Sequence, residues 1–304
     1  MLTVVIGLVA ALVFGSADFL GGLSARRIGP LRATAIAAII GLVLLLILAL
    51  FVGGTWSWAA VLWGGLSGVS GALAISLLYA CLAVGPMSIL SPLTAVVSAI
   101  VPMTWGIVAG DRFAPIGYLA LGLALVAVVL VGFVPEKGAV RPSLRGIVMA
   151  IGSGFMIGVF LILIDAAPDD SGLAPLIMNR AVNGAVIIAT IGVIAWWQRA
   201  RRRRRAASGT VAAVPGRPTA SPSATGWRTG LTFAIACGIV DAVANTLLLV
   251  GVRIGDLSVI AVLTAMYPAG TIILAAIVLR ERIAPVQWAG LVLAIGAAGM
   301  LALA

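Results

Sequence analysis

The stretch Asp111-Arg112-Phe113-Ala114-Pro115 returns, at a shift of 170 residues, as Glu281-Arg282-Ile283-Ala284-Pro285. An acidic residue, an arginine and an Ala-Pro pair recur in order between long apolar runs. Proline suits the first turn of a helix, where its missing N–H costs no hydrogen bond. Each copy therefore marks the start of a final apolar helix. At the same shift Leu93-Thr94-Ala95 lies over Leu263-Thr264-Ala265, and Gly85 and Ser88 lie over Gly255 and Ser258. Between residues 84 and 131, 15 of 48 positions are identical to their partners without a gap. The chain thus reads as two related halves, 1–134 and 144–304.

The apolar runs decide the class. Of 304 residues, 62% are hydrophobic and 9% charged, against about 25% charged in a soluble protein. Runs of 18 or more apolar residues are long enough to cross a bilayer as helices. Backbone polar groups in lipid must be satisfied within the segment, and the short alternating segments of a membrane barrel are absent from the pattern. The spacing predicts an all-α membrane protein with ten spans, at roughly 2–24, 31–52, 58–82, 87–109, 114–134, 144–164, 174–196, 229–250, 257–279 and 284–303. Five helices per half is an odd number, so the second half is expected to be inverted relative to the first, a plan common among secondary transporters. No basic residue precedes the first span, and Arg26, Arg27 and Arg32 follow it, which argues against a cleavable signal.

Charge orients the spans. With the N-terminus outside, the inner loops hold 16 basic residues, and the outer loops hold only Arg112 and Arg253. The remaining basic residue, Arg180, lies within the seventh span. The excess predicts both termini outside, in a cytoplasmic membrane. Half of the inner charge is in the segment 197–228, which contains Arg201 to Arg205 and then a Pro/Ser/Thr/Ala-rich stretch. Its composition predicts a disordered basic loop that contacts anionic headgroups rather than nucleic acid.

Ionisable groups inside spans cost about 2.5–3.5 kcal/mol each and call for a reason. Asp18 lies two-thirds along the first span. Its carboxyl is suited to proton coupling or to pairing a cationic substrate; equally, it could reach the interface beside Arg26 and Arg27. Asp241 and Asn245 are four residues apart in the middle of the eighth span and share one face. Their counterparts in the repeat are Gly71 and Ile75, which makes the pair an asymmetric polar site. Arg180 and Asn183 lie early in the seventh span. Arg180 could pair with Asp241, hold an anionic group, or reach the headgroups. Tyr79, Tyr267 and Trp105 are candidates for lining a cavity or for packing. Pro92 and Pro102 in the fourth span, and Pro268 beside Tyr267 in the ninth, are expected to break corresponding helices of the two halves. Asp165 is expected to close the outer end of the sixth span. The Gly/Ser run Gly64, Gly65, Ser67, Gly68, Ser70 and Gly71 suggests a close-packing face.

Several classes of chemistry find no support. Histidine is absent, and Cys81 and Cys237 are far apart in apolar runs, so neither a metal site nor a disulfide framework is expected. Lys137, the sole lysine, lies outside any phosphate-binding loop. No nucleophile–base pair stands out, and no cofactor is expected. A membrane-embedded enzyme would have only Asp169-Asp170 as an acidic pair. A scaffold or sensor would act through the Arg-rich loop. A homodimer is compatible with the sequence.

Three further motifs carry a family resemblance. Phe14-Gly15-Ser16-Ala17-Asp18-Phe19 is similar to the W-G-s-n-f pattern of the EamA family of the drug/metabolite transporter superfamily, with Phe14 in place of tryptophan. Leu78-Tyr79-Ala80-Cys81-Leu82 with Val84-Gly85-Pro86 looks like its Y-A-L pattern. Arg280-Glu281-Arg282 before a proline and a Gly-rich last helix resembles its G-E-x ending. The resemblance covers nearly the whole chain and implies a secondary transporter of a small metabolite or drug, usually an exporter. Family members commonly keep both termini in the cytoplasm, which differs from the charge count here. The Arg-rich insertion is also not a family feature.

Overall fold

The computed structural model describes residues 1–84, 87–132, 143–207, 224–280 and 284–303. These form helices α1 (Leu2–Ile28), α2 (Pro30–Val52), α3 (Trp58–Val84), α4 (Met87–Ala109), α5 (Pro115–Gly132), α6 (Leu144–Asp165), α7 (Ala174–Ala207), α8 (Ala224–Ile254), α9 (Leu257–Thr264), α10 (Tyr267–Val278) and α11 (Pro285–Leu303). Taking α9 and α10 as one broken span, ten are long and apolar enough to cross a membrane. Large apolar residues such as Leu46, Phe51, Val129 and Ile295 cover the outer surface, as lipid contact requires. The chain is an all-α, multi-pass membrane protein.

Local chemistry sets the boundaries. Gly29, at φ +87°, turns the chain between α1 and α2, and Pro30 opens the next helix. Ser143 caps α6 by accepting from the Gly146 amide at 3.1 Å. Asp256 makes no side-chain cap for α9. Asp111, from the turn after α4, supplies one instead: its Oδ2 accepts from the Ser258 amide at 3.1 Å and from the Ser258 hydroxyl at 2.7 Å.

Most principal packing joins one half to the other. Helix α1 packs on α8, α9 and α10; α3 on α6 and α7; α4 on α6 and α9; α2 on α7 and α8; and α5 on α11. Exchanging each span with the one five places on leaves these pairings unchanged. The two largest apolar cores lie around α4, α5, α9 and α11 and around α2, α6, α7 and α8. All eight residues of α9 are buried, and α9 contributes to both cores.

Two expectations are corrected. Helix α4 runs unbroken through Pro92 and Pro102, whereas the ninth span breaks between Thr264 and Tyr267. Pro268 stands at the start of α10, and its counterpart in the repeat is Ser98, so α4 carries no proline where the ninth span breaks. Hydroxyl groups also stitch α4 around its prolines: Thr94 donates to Leu90, Ser98 to Ala95 and Thr104 to Ile100. Second, the basic segment is not disordered throughout. Helix α7 continues to Ala207, through Arg201 to Arg205, and α8 begins at Ala224. Arginine is a good helix former, and extending an existing helix adds one hydrogen bond for each residue fixed. The rest of the segment, 208–223, lies outside the described residues.

Candidate functional site

The polar residues of α7 and α8 meet where both helices pass α2, with α3 packed on α7. Asp241 projects from α8 toward Arg180 of α7, and the guanidinium donates to its Oδ2. The two side chains are 15% and 25% exposed, so the pair is largely enclosed. One turn along α8, the Asn245 amide donates to the Asp241 carbonyl at 2.8 Å and, more weakly, to Oδ1 at 3.3 Å. Both carboxylate oxygens of Asp241 are therefore occupied.

Glycines make room for this cluster. The Arg180 Nε lies 3.8 Å from where a Cβ on Gly41 would sit, and the Asn183 amide nitrogen lies 3.2 Å from the same point on Gly71. Gly71 is the counterpart of Asp241 in the repeat; one half supplies a carboxylate where the other supplies space. Next to it, Asn179 donates to the Ser67 hydroxyl at 2.8 Å, and Gly64 and Gly68 bring the α3 backbone against α7. The Gly/Ser run is a close-packing face.

Asp18 reaches the same region from α1. It lies near enough to Cys237 and Tyr267 to act on both electrostatically, and Cys237 also lies near Arg180. Cys237 and Asp241 are one turn apart on α8. The site thus combines Asp18 of α1, Arg180 and Asn183 of α7, Cys237, Asp241 and Asn245 of α8, and Tyr267 at the start of α10. Phe14 lies one turn before Asp18 on the same face of α1.

The position of Asp18 on α1 explains its exposure. Val4, Gly7, Ala11 and Gly15 form a buried stripe at three- and four-residue intervals, while Val5, Val9 and Leu12 face outward. Asp18 and Gly22 continue the buried stripe, yet both are exposed. No atom lies within 4 Å of a Cβ built on Gly22. The stripe therefore loses its cover at Asp18, toward the end of α1 that carries Arg26 and Arg27. Just before the opening the packing is tight: Thr271 donates to the Gly15 carbonyl at 3.0 Å, and Gly15 abuts the first turn of α10.

The other end is tied together. Asp111 holds Ser258, and the Ser258 hydroxyl also reaches the Met103 carbonyl at 2.9 Å. Thr55 donates through its amide to the Asp170 carbonyl at 2.9 Å and through its hydroxyl to the Asp170 carboxylate at 2.6 Å. Arg253 donates to the Pro168 carbonyl at 3.3 Å and to Ser171 at 3.0 Å. Asp165 ends α6 at this face.

Other candidates lie apart. Trp105 is on the exposed surface of α4, 53% accessible. The backbone of Tyr79 lies in α3, but its side chain lies outside the described residues. No metal-binding group of residues forms among the described residues. Cys237 was not expected at the site. Its signal was its place one turn before Asp241, obscured because a cysteine in an apolar run usually packs. The Asp111–Ser258 tie was likewise missed, since nothing in sequence spacing joins residues so far apart.

No curated protein matches the chain. One solved crystal structure aligns with 99% of this chain and 96% of its own, with a TM-score of 0.72 and 16% identity, a likeness of fold alone. A family model for the EamA-like transporter family matches residues 144–303. With that match over more than half its length, and with ten apolar spans, the chain belongs to the EamA-like transporter family of the drug/metabolite transporter superfamily.

Proposed function

We propose that this protein moves a small molecule across the cytoplasmic membrane by alternating access, as a secondary exporter, with the α1/α7/α8/α10 cluster as its site. The observation that carries this reading is the contrast between the two ends of the bundle. The buried stripe of α1 opens at Asp18 and Gly22, while hydrogen bonds tie the opposite end. In α6 the residues Gly154, Gly158 and Leu161 have the spacing of Ala11, Gly15 and Asp18 in α1, and Leu161 is 7% exposed. By that spacing α1 is exposed where α6 is buried. That is one state of an alternating pair, and the exchangeable packing of the spans supports two inverted repeats that can swap roles.

Loop charge orients this state. The open end carries Arg26, Arg27 and Arg32, so it faces the cytoplasm and both termini lie outside. Helix α7, at about 51 Å, is longer than a hydrocarbon core of about 30 Å. Exposed Trp196 and Trp197 fit the interface, and the arginines that follow on the same helix fit anionic headgroups. A site open to the cytoplasm and tied shut outside is the loading state of an exporter.

Sided labelling tests the reading. Gly22→Cys, with Cys81 and Cys237 replaced by alanine, should react with an impermeant maleimide from the cytoplasmic side of inverted vesicles. Adding Asp111→Asn and Ser258→Ala, which cut the outer tie, should lower that reaction by favouring the opposite state. Labelling from the outer side alone, or labelling indifferent to the tie, would overturn the proposal.

A further inference from the structure

The charges of the site do not cancel, and the remainder defines a ligand. Away from the helix ends, the described spans hold Asp18, Asp241 and Arg180. Arg180 and Asp241 neutralise each other, and Asn245 occupies the second carboxylate oxygen. The Asp18 side chain forms no hydrogen bond or ion pair with any described residue, and it is exposed. An ionised carboxylate within a span costs about 2.5–3.5 kcal/mol, so a cation completes the site.

We infer that the site takes an amphipathic organic monocation, an ammonium or guanidinium on an apolar body, with its charge at Asp18. This rests on the transport reading above and adds the substrate class. An anion would have to displace Asp241 from Arg180 and leave that carboxylate uncompensated. A neutral ligand would leave the charge of Asp18 uncompensated. Phe14, one turn from Asp18, and Tyr267 beside it present aromatic groups suited to an alkylammonium. The break between α9 and α10 places Tyr267 there, at the first residue of a helix.

Cys237, near both Asp18 and Arg180, reports occupancy. With Cys81 replaced by alanine, its alkylation by N-ethylmaleimide can be followed in the purified protein against three compounds that share one ring: benzylamine, benzyl alcohol and benzoate. Benzylamine should slow alkylation and the other two should not. Asp18→Asn should raise the half-protecting concentration about 30-fold or more, the loss expected when one partner of an enclosed charge pair is truncated. Asp18→Glu, which keeps the charge, should restore most of the protection and controls for misfolding. Equal protection by benzoate or benzyl alcohol, no protection by benzylamine, or an unchanged response in Asp18→Asn would overturn the assignment. Protection without benzylamine flux in proteoliposomes would leave the cation site standing and refute transport of that cation. Sided labelling that fails while protection succeeds would refute alternating access alone.

Discussion

Removing either partner of the Arg180–Asp241 pair should destabilise the protein more than removing both. In Asp241→Asn the guanidinium keeps its charge inside a cluster that leaves it 15% exposed, and a carboxamide N–H competes for the space that a carboxylate oxygen filled. Asn245 cannot compensate, because it carries no charge and its stronger bond, 2.8 Å, goes to the Asp241 backbone carbonyl. Breaking a buried pair from one side costs about 3–5 kcal/mol, while replacing both partners can be nearly neutral. The residual exposure of both side chains puts the expected loss near the lower end, about 3 kcal/mol, or roughly 150-fold in the ratio of folded to unfolded protein. Arg180→Gln should lose a similar amount, since it leaves Asp241 uncompensated. The assay is reversible unfolding in mixed micelles followed by tryptophan fluorescence, for the two single variants and the double variant Arg180→Gln/Asp241→Asn. The double should be more stable than either single. Losses that add to within about 0.5 kcal/mol would mean the two groups do not interact, and would refute the ion pair as the organising contact of the site.

Two further expectations concern packing and pH. A Cβ on Gly68 would sit 2.6 Å from the Asn179 carbonyl oxygen and 2.9 Å from the Val182 Cβ, whereas one on Gly122 would meet nothing within 4 Å. Gly68→Val should therefore lose about 1–3 kcal/mol or fail to give a monodisperse peak in size-exclusion chromatography, and Gly122→Val should behave like the parent; equal behaviour would contradict the close crossing of α3 and α7. Outside the spans, burial and then the nearby charge of Asp111 push the Asp256 carboxyl above the usual carboxylate range. The folded state then holds that proton more tightly than the unfolded state, so its contribution is present below about pH 4 and is lost as pH rises through the folded-state value. Asp256→Asn should show a smaller fall in melting temperature from about pH 4 to about pH 7 than the parent, by a modest amount because the group is exposed. Parallel pH profiles would remove Asp256 from the balance.

Most of the architecture was legible because lipid imposes a simple rule. Each span needs a long apolar run, and these runs are unmistakable in the sequence. Their ends were harder to place. Arg26 and Arg27 look like loop residues but extend α1 to Ile28, and Arg201 to Arg205 extend α7 to Ala207. Charge marks where a helix leaves the hydrocarbon, not where its hydrogen bonds stop. Proline was similarly ambiguous: Pro92 and Pro102 remove donors from α4 without ending it, and only Pro268 coincides with a break. Asp241 and Asn245 could be placed on one face from spacing alone. Their relation to Arg180, Cys237 and Asp18 depends on how α1 packs on α8 and how α2 holds α7 and α8, which helical periodicity does not encode.

The repeat also makes its own departures informative. Asp241 faces the site where its counterpart Gly71 leaves room for Asn183, and Pro268 stands at a break where Ser98 lies in a continuous helix. In a perfectly symmetric inverted repeat the two facing states would be equal in energy, and a ligand at the pseudo-twofold axis would favour neither. Here the differences fall on charged and helix-breaking residues, so in the proposed exchange the two states would present Asp18 with different surroundings. A ligand shifts such an equilibrium only by its difference in affinity between the states. The unpaired carboxylate is the feature through which a bound cation can supply that difference. The Arg180–Asp241 pair, already satisfied, is suited to bridging α7 and α8 during the proposed exchange.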